Sequence, residues 1–203
     1  MVQITVPPPE IEQDLLDAVG MSRGHFRYES GHHGDLWLDL EGLFVDARRI
    51  RRWASILARK VETCQPDVVC GPLTGGAFVA QPLAAEIGAG FIFSERIVSP
   101  NGQVDYHIPK SLRLTLTGKR VLLVDDAVNA GSALQSTWDD LQDCGVELAG
   151  FAGLLALGGA ELQLAKKYGV PFFTLASLAR NMWTSDKCPL CRLGTPLINP
   201  LAR

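Results

Sequence analysis

The sequence predicts an α/β domain in which a mainly parallel sheet is flanked by helices, with a small N-terminal hood ahead of it. Its 203 residues, of which 47% are hydrophobic and 20% charged, suit one compact domain with a substantial core. Between residues 46 and 180, near-continuous apolar segments alternate with helical patterns. This alternation is typical of a parallel sheet that is covered on both faces.

Charge, cysteine content and the N-terminal segment indicate the compartment of the protein and the partners it does not bind. The formal net charge is −3, which gives no overall attraction for nucleic-acid backbones. The N-terminus lacks a basic start and a long apolar run, and the longest largely apolar stretch, 149–160, is too short to span a bilayer. The five cysteines are an odd number in a chain without an export signal. We therefore expect a reduced, cytoplasmic protein that binds neither nucleic acid nor a membrane.

Three parts follow one another along the chain. Residues 1–45 contain a helix (10–19) and two strands (25–31 and 36–44) that form the hood. Residues 46–180 form the core, with a helix capped by Asp46, strand 67–71, helix 76–87, strands 90–95 and 120–126, helix 132–144, strand 146–157, helix 160–168 and strand 171–178. The connection 96–119 is longer than usual, which is typical of a lid or a binding loop. Residues 181–203 form a tail that contains CPLC and has no clear period.

Four arginines lie close together after Asp46. Arg48, Arg49, Arg51 and Arg52 alternate with apolar residues at helical spacing. This pattern favours the charged outer face of a helix over a nucleic-acid surface.

An acid pair ends one of the buried strands, in the segment VLLVDDAVNAGSA at 121–133. In an open parallel sheet, ligands bind beyond the carboxyl ends of the strands, where Asp125 and Asp126 emerge. The turn that follows begins a helix, and a helix N-terminus offers backbone N–H groups to a phosphate. A sugar phosphate fits both features. Plain polar residues at a strand end remain the alternative.

This segment strongly resembles the phosphoribosyl pyrophosphate (PRPP) binding signature of type I phosphoribosyltransferases, and is most similar to that of orotate phosphoribosyltransferases. GHFRYESGHHGDLWLDL, residues 24–40, resembles the hood motif of that group, and GPLTGGAFVA, residues 71–80, resembles its pyrophosphate loop. The resemblance implies the type I phosphoribosyltransferase fold and transfer of a 5-phosphoribosyl group from PRPP to a nitrogenous base, with release of pyrophosphate. Orotate is the expected base, which indicates pyrimidine biosynthesis. A purine base, or a non-catalytic regulator that binds PRPP or a nucleotide, remains open.

The resemblance also implies roles for particular residues. Asp125 and Asp126 would hold the ribose hydroxyls, and Trp37 would lie near the base. The 5′-phosphate would bind to Asn129, Ala130, Gly131, Ser132 and Ala133, and pyrophosphate to Pro72, Leu73, Thr74, Gly75 and Gly76. Mg²⁺ would be held through PRPP without a direct protein ligand. The family further implies a homodimer in which the lid of one subunit completes the neighbouring site.

Three departures from the family pattern bear on the substrate. The pyrophosphate loop has no lysine, and the lid offers only Arg96, His107, Lys110 and Arg113 as cations, of which Arg96 is the expected catalytic one. The strand FAGLLALGG ends in glycines where the orotate enzymes place an arginine for the carboxylate of the substrate. Arg27 in the hood, or Arg96, is expected to supply that charge.

Histidines and cysteines raise the question of a metal. His25, His32 and His33 lie on a strand and turn without another type of ligand nearby, which does not favour a metal site. Cys188 and Cys191 form half of a zinc site. We expect that a zinc ion there would require a second copy of the tail across a dimer.

Overall fold

The computed structural model describes residues 9–28 and 31–200. Part of the hood motif, residues 29–30, and the predicted ranges at 1–8 and 201–203 lie outside the described residues. The helices are α1 (Pro9–Ala18), α2 (Ala47–Val61), α3 (Gly75–Ile87), α4 (Lys110–Arg113), α5 (Ser132–Leu141), α6 (Ala160–Tyr168) and α7 (Pro189–Arg192). The strands are β1 (Gly20–Arg27), β2 (His33–Asp39), β3 (Val68–Pro72), β4 (Gly90–Val98), β5 (Val104–His107), β6 (Arg120–Val128), β7 (Glu147–Leu157), β8 (Phe172–Leu178) and β9 (Met182–Trp183).

The main sheet confirms the predicted fold class. Its order is β5-β4-β3-β6-β7-β8, in which β4, β3, β6, β7 and β8 are parallel and β5 is antiparallel. The chain leaves β3 toward one side of the sheet and later returns to its other side as β6. The gap between the carboxyl ends of β3 and β6 is therefore the topological switch point, where ligands bind in such sheets.

Each face of the sheet has its own apolar core. On one face α1, α2 and α3 pack on apolar side chains of β3, β6, β7 and β8. On the other face α5 and α6 pack on the alternate side chains of those strands. Because both faces are covered, the strands are almost entirely buried, which explains their continuous apolar sequences.

Polar contacts fix the start of α2 and its attachment to α1. The Asp46 side chain accepts a hydrogen bond from the Arg48 N–H, which confirms the predicted cap. The buried Trp53 indole donates to Asp14 Oδ2 at 2.9 Å. The arginine face is ion-paired, as a charged outer face should be, through Arg48–Asp46, Arg49–Asp14, Arg51–Glu86 and Arg52–Asp14.

The 96–119 connection has more regular structure than the sequence indicates. β4 continues to Val98 and pairs with β5 as an antiparallel hairpin. The return from this hairpin is tied to α5 by Asp140, which accepts hydrogen bonds from His107, the Ile108 N–H and Arg113. In so short and exposed a hairpin, the alternation of apolar and polar residues is too weak to predict strands from the sequence.

The hood is a small sheet of order β1-β2-β9. Its third strand comes from the tail, because Trp183 and Met182 pair with His33 and Gly34. Farther along the tail, Ile198 exchanges backbone hydrogen bonds with the other edge, at His25 and Arg27. The tail therefore wraps around the hood instead of forming a separate part. Within the described ranges, no helix has the length and apolar character needed to cross a membrane.

Candidate functional site

The acid pair lies near the carboxyl end of β6, beside the switch point. Asp125 accepts a hydrogen bond from the Asp126 N–H at 3.0 Å, and Asp126 accepts one from the Ala127 N–H at 2.8 Å. Burial, together with the neighbouring charge of Asp126, raises the pKa of Asp125 well above its usual value. Burial also raises the pKa of Asp126. Two carboxylates held this way gain from a cation or from hydroxyl donors, which suits ligand binding.

The loop between β3 and α3 meets this acid pair at the same edge. A side-chain carbon at Gly75 would collide with the Asp126 carboxylate, and one at Gly76 would lie 2.8 Å from Asp125 Oδ1. Thr74 is the N-cap of α3 and makes no side-chain capping bond, so its side chain does not satisfy the first N–H groups of the helix, which have no intrahelical partner. Two segments that are fifty residues apart in sequence thus form one surface of carboxylates and backbone donors.

The 129–133 loop leads from β6 into α5. Gly131 is the N-cap of α5, with φ at +73°, and its side-chain hydrogen faces Leu164, whose Cδ1 would be 2.7 Å from an added Cβ. No side chain caps α5. The loop therefore leaves the helix N-terminus open to an anion, in the arrangement that binds phosphates.

A cavity of about 120 Å³ separates the hood from the ends of β6 and β7. Its walls are aromatic and aliphatic side chains of the hood together with residues from the core and tail: Tyr28, Leu36, Trp37, Leu38, Leu40, Ala127, Asn129, Leu157 and Arg180. Asn129 Oδ1 is buried and has no hydrogen-bond partner. Because an unsatisfied buried acceptor costs about 1–3 kcal/mol, this cavity favours a ligand that brings an N–H group.

Arg180 reaches this cavity although it was absent from the residues predicted for the site. Its Nε and Nη1 atoms are buried without hydrogen-bond partners, and its guanidinium carbon lies 5.7 Å from the centre of the Tyr28 ring. Burial lowers the pKa of Arg180. The side chain packs against Gly158, where an added Cβ would lie 3.3 Å from Arg180 Cγ. The glycines that end β7 therefore leave room for an arginine that arrives from the neighbouring strand.

The residue after Arg180 explains how the arginine is held. Asp35 of β2 accepts hydrogen bonds from the backbone N–H and the side-chain amide of Asn181, at 2.9 and 2.8 Å. The chain is thus fastened to the hood immediately after Arg180. One indication was present in the sequence, since ends of adjacent parallel strands meet at the same sheet edge and Arg180 follows the last of them.

The two arginines expected to bind a carboxylate lie elsewhere. Arg27 is exposed at the end of β1 and is absent from the cavity wall. Arg96 is exposed on the part of β4 that forms the lid hairpin, opposite Tyr106. Two other lid cations, His107 and Arg113, are engaged by Asp140.

The expectation for the histidines and cysteines requires correction. His25, His33, Cys188 and Cys191 come together within one chain, with one potential ligand atom from each residue and all four atoms within 4.8 Å of one another. A second copy of the tail is not needed to complete the set. The sequence does not indicate this cluster because the tail contacts β1 and β2 over separations of more than 150 residues, which a local pattern does not reveal.

Comparison with known proteins agrees with this geometry. Residues 45–175 match the phosphoribosyl transferase domain family. The chain is 31% identical over 183 residues to an orotate phosphoribosyltransferase of Heliobacterium modesticaldum, covering 89% of this chain and 90% of that protein. It is 29% identical over 185 residues to one of Caldanaerobacter subterraneus, covering 90% and 91%.

Solved structures share the fold. An orotate phosphoribosyltransferase from Aeropyrum pernix superimposes with a TM-score of 0.61 at 23% identity, covering 91% of this chain and 97% of that one. An adenine phosphoribosyltransferase from Rhodothermus marinus superimposes with a TM-score of 0.65 at 19% identity, covering 84% and 100%. With a family match across most of the core and the acid pair, glycine loop and helix N-terminus gathered at its switch point, the chain belongs to the phosphoribosyltransferase family and is a pentosyltransferase enzyme.

Proposed function

We propose that this enzyme transfers the 5-phosphoribosyl group of PRPP to orotate, forming orotidine 5′-phosphate and pyrophosphate. The observation that carries the choice of base is Arg180, which lines the cavity next to Ala127 and Asn129 and whose Nε and Nη1 atoms are buried without hydrogen-bond partners. Two unsatisfied nitrogens on a partly buried guanidinium are costly, and a carboxylate is the group that pairs with them in bidentate geometry. Orotate carries such a carboxylate, whereas the common purine bases do not.

In this proposal PRPP lies along the switch point. The Thr74–Gly76 end of the β3–α3 loop donates backbone N–H groups to pyrophosphate, and the 129–133 loop donates them to the 5′-phosphate. Asp125 and Asp126 accept hydrogen bonds from the ribose hydroxyls. Mg²⁺, when bound with PRPP, would neutralise phosphate charge, and the carboxylates of Asp125 and Asp126 are hard oxygen donors that would lie beside it.

The base would occupy the cavity under the hood. Trp37 supplies an aromatic wall, Arg180 faces the carboxylate, and Asn129 Oδ1 accepts an N–H of the ring. A ring nitrogen, whose N–H proton is released to solvent, attacks the anomeric carbon while the bond to pyrophosphate breaks and its electron pair leaves with pyrophosphate. The sugar develops positive charge in between, and the two carboxylates stabilise it.

A homodimer and a cytoplasmic location complete the proposal. Arg96 lies on the exposed lid hairpin, from which it would enter the site of a second subunit and meet the pyrophosphate. A monomer that retains full activity in light scattering and assay would contradict this role.

The test of the base compares two arginine variants. Arg180→Met should raise the KM for orotate about 30-fold or more and leave the KM for PRPP nearly unchanged, because loss of one partner from a buried charged pair costs about 2–5 kcal/mol. Arg27→Met is the matched control and should change neither constant. The assay measures pyrophosphate release with orotate, uracil, adenine, guanine, hypoxanthine and xanthine in parallel. Turnover confined to a purine would reject orotate, and absence of turnover with every base despite PRPP binding would favour a regulator.

A further inference from the structure

A cluster of four metal-ligand side chains lies outside the site described above. His25 is in β1, His33 begins β2, and Cys188 and Cys191 lie at α7 in the tail. His25, His33 and Cys188 are buried, and Cys191 lies at the surface edge. None of the four lines the cavity under the hood, so the cluster requires its own explanation.

Four of the six distances within the cluster are close to those around one tetrahedral ion. For Zn–N bonds of about 2.05 Å and Zn–S bonds of about 2.3 Å, tetrahedral geometry requires about 3.3 Å between two nitrogens and about 3.6 Å between nitrogen and sulfur. His25 Nε2 and His33 Nδ1 are 3.1 Å apart. Three of the four nitrogen–sulfur distances are 3.4 Å for Cys188 to His25, 3.7 Å for Cys191 to His25 and 3.2 Å for Cys191 to His33. All four ligand atoms lie within 4.8 Å of one another.

The hydrogen-bond partners of His25 show which of its nitrogens is available. His25 Nδ1 lies 2.8 Å from the carbonyl oxygen of Thr195, which only accepts hydrogen bonds. Nδ1 therefore carries the proton, and the lone pair of a neutral ring is on Nε2, which points into the cluster. A backbone carbonyl that orients a histidine through its other nitrogen is a usual outer contact of a metal ligand.

Hydrogen bonds alone satisfy this arrangement poorly. Three groups, His33 Nδ1 and both thiols, converge on the single lone pair of His25 Nε2. That lone pair accepts one strong hydrogen bond. If His33 Nδ1 donates to it, neither thiol has a ring nitrogen left as an acceptor in the cluster. If Cys188 and Cys191 donate to the two ring nitrogens instead, two lone pairs face each other at 3.1 Å. A cation at the centre would use one lone pair from each of the four residues.

We propose that His25, His33, Cys188 and Cys191 bind one structural Zn²⁺ ion that fastens the tail to the hood. A set of two thiolates and two imidazoles with tetrahedral spacing is typical of zinc, and four protein ligands leave no open position for catalysis. The Cys-x-x-Cys spacing supplies both sulfur atoms from one short turn, which Gly194 closes with φ at +68°.

The position of the cluster gives the ion a structural purpose. In β1 and β2 the buried apolar side chains are those of Phe26 and Leu36. Neither belongs to the two cores that cover the main sheet. So small a sheet buries little apolar surface, and a metal is a common substitute for a core in such units. The same tail segment begins at Arg180 and Asn181, so the ion also secures the wall of the cavity.

The experiment measures metal content in the full-length protein, purified reduced and without chelators. We expect about one zinc per chain. Replacement of zinc by Co²⁺ should give the intense visible bands of a tetrahedral ion and a thiolate-to-cobalt charge-transfer band. Cys191→Ser, at the exposed edge, should lose most of the zinc and lower the Tm by more than about 5 °C.

The matched control is Cys64→Ser. Cys64 is a buried cysteine outside the cluster whose thiol donates to the Val61 carbonyl, a bond that a serine hydroxyl can replace. This variant should keep the full zinc content. A reduced wild-type protein that remains metal-free after incubation with Zn²⁺, a Cys188–Cys191 disulfide in the purified protein, or undiminished zinc in Cys191→Ser would each overturn the proposal. If Cys191→Ser does not fold, the zinc content and cobalt spectrum of the wild type decide alone, and they do so independently of whether the enzyme uses orotate.

Discussion

The switch point and the hood cavity are neighbouring parts of one site, but they are built in opposite ways. The switch point consists of two short continuous segments, 72–76 and 125–133, whose backbone groups and acids make the surface. The cavity combines side chains from residues 28 to 180. This contrast follows from the ligands. The phosphates and ribose of PRPP require backbone donors and carboxylates at fixed short spacing, whereas a base requires a pocket that any suitable side chain can line.

The largest effect is expected when one acid of the switch point is replaced. Asp126→Asn should lower kcat/KM by about 10²–10³-fold, the usual loss when a group that stabilises transition-state charge is removed. It should not lower the Tm, because burial raises the pKa of Asp126 and the charged carboxylate is therefore a cost to the fold. Initial rates and thermal unfolding measure the two quantities.

The control for this variant is Asp143→Asn, an exposed carboxyl outside the site. It should leave both quantities unchanged. A loss of activity in Asp126→Asn that is matched by an equal loss of folded protein would contradict a functional role for the acid.

A second prediction tests whether the two segments of the switch point act as one surface. Gly75→Ala places a Cβ against the Asp126 carboxylate, so the loop or the acid must move. A displacement near 1 Å should lower kcat/KM for PRPP by about 10–10²-fold. Gly90→Ala is the control, since its added Cβ would lie 3.5 Å from Val68 Cγ2, an ordinary contact. Isothermal calorimetry with PRPP would measure the loss of binding. Equal affinity in both variants would mean that the β3–α3 loop and the acid pair do not form one PRPP-binding surface.

The contrast between the two regions also explains what could be read from the sequence. The alternation of apolar strands and helices predicted the sequence of elements in the core, and the acid pair with its glycine turn predicted a ligand site at the carboxyl end of one strand. Both depend on residues close in sequence, whose spacing is set by local geometry. Arg180 and the His25–Cys188 contact depend on how the tail returns across the hood, and no local period encodes that return.

The glycines at the end of β7 show what a local sequence pattern does not reveal. Read locally, Gly158 and Gly159 mean the loss of an arginine that the family uses. In the fold, Gly158 is the space into which Arg180 packs from the next strand. In our proposal Arg180, 22 positions after Gly158, takes the place of the absent side chain, and the register of β7 with β8 brings the two positions together.

The smallest effect is expected for a change in the hood. This change tests whether the hood contributes to binding of the base but not of PRPP. Tyr28 donates a hydrogen bond from its hydroxyl to the Leu36 carbonyl at 2.6 Å, and its ring lies below the Arg180 guanidinium. Tyr28→Phe keeps the ring and loses this bond, which should cost about 0.5–1.5 kcal/mol of stability. Because the cavity wall loosens while the switch point stays intact, the KM for orotate should rise a few-fold and that for PRPP should not.

Tyr168→Phe, whose ring packs on Phe151 at the opposite face of the sheet, is the control. Steady-state kinetics at saturating PRPP measure the effect, and an equal rise in both KM values would mean that hood and switch point respond as a single unit.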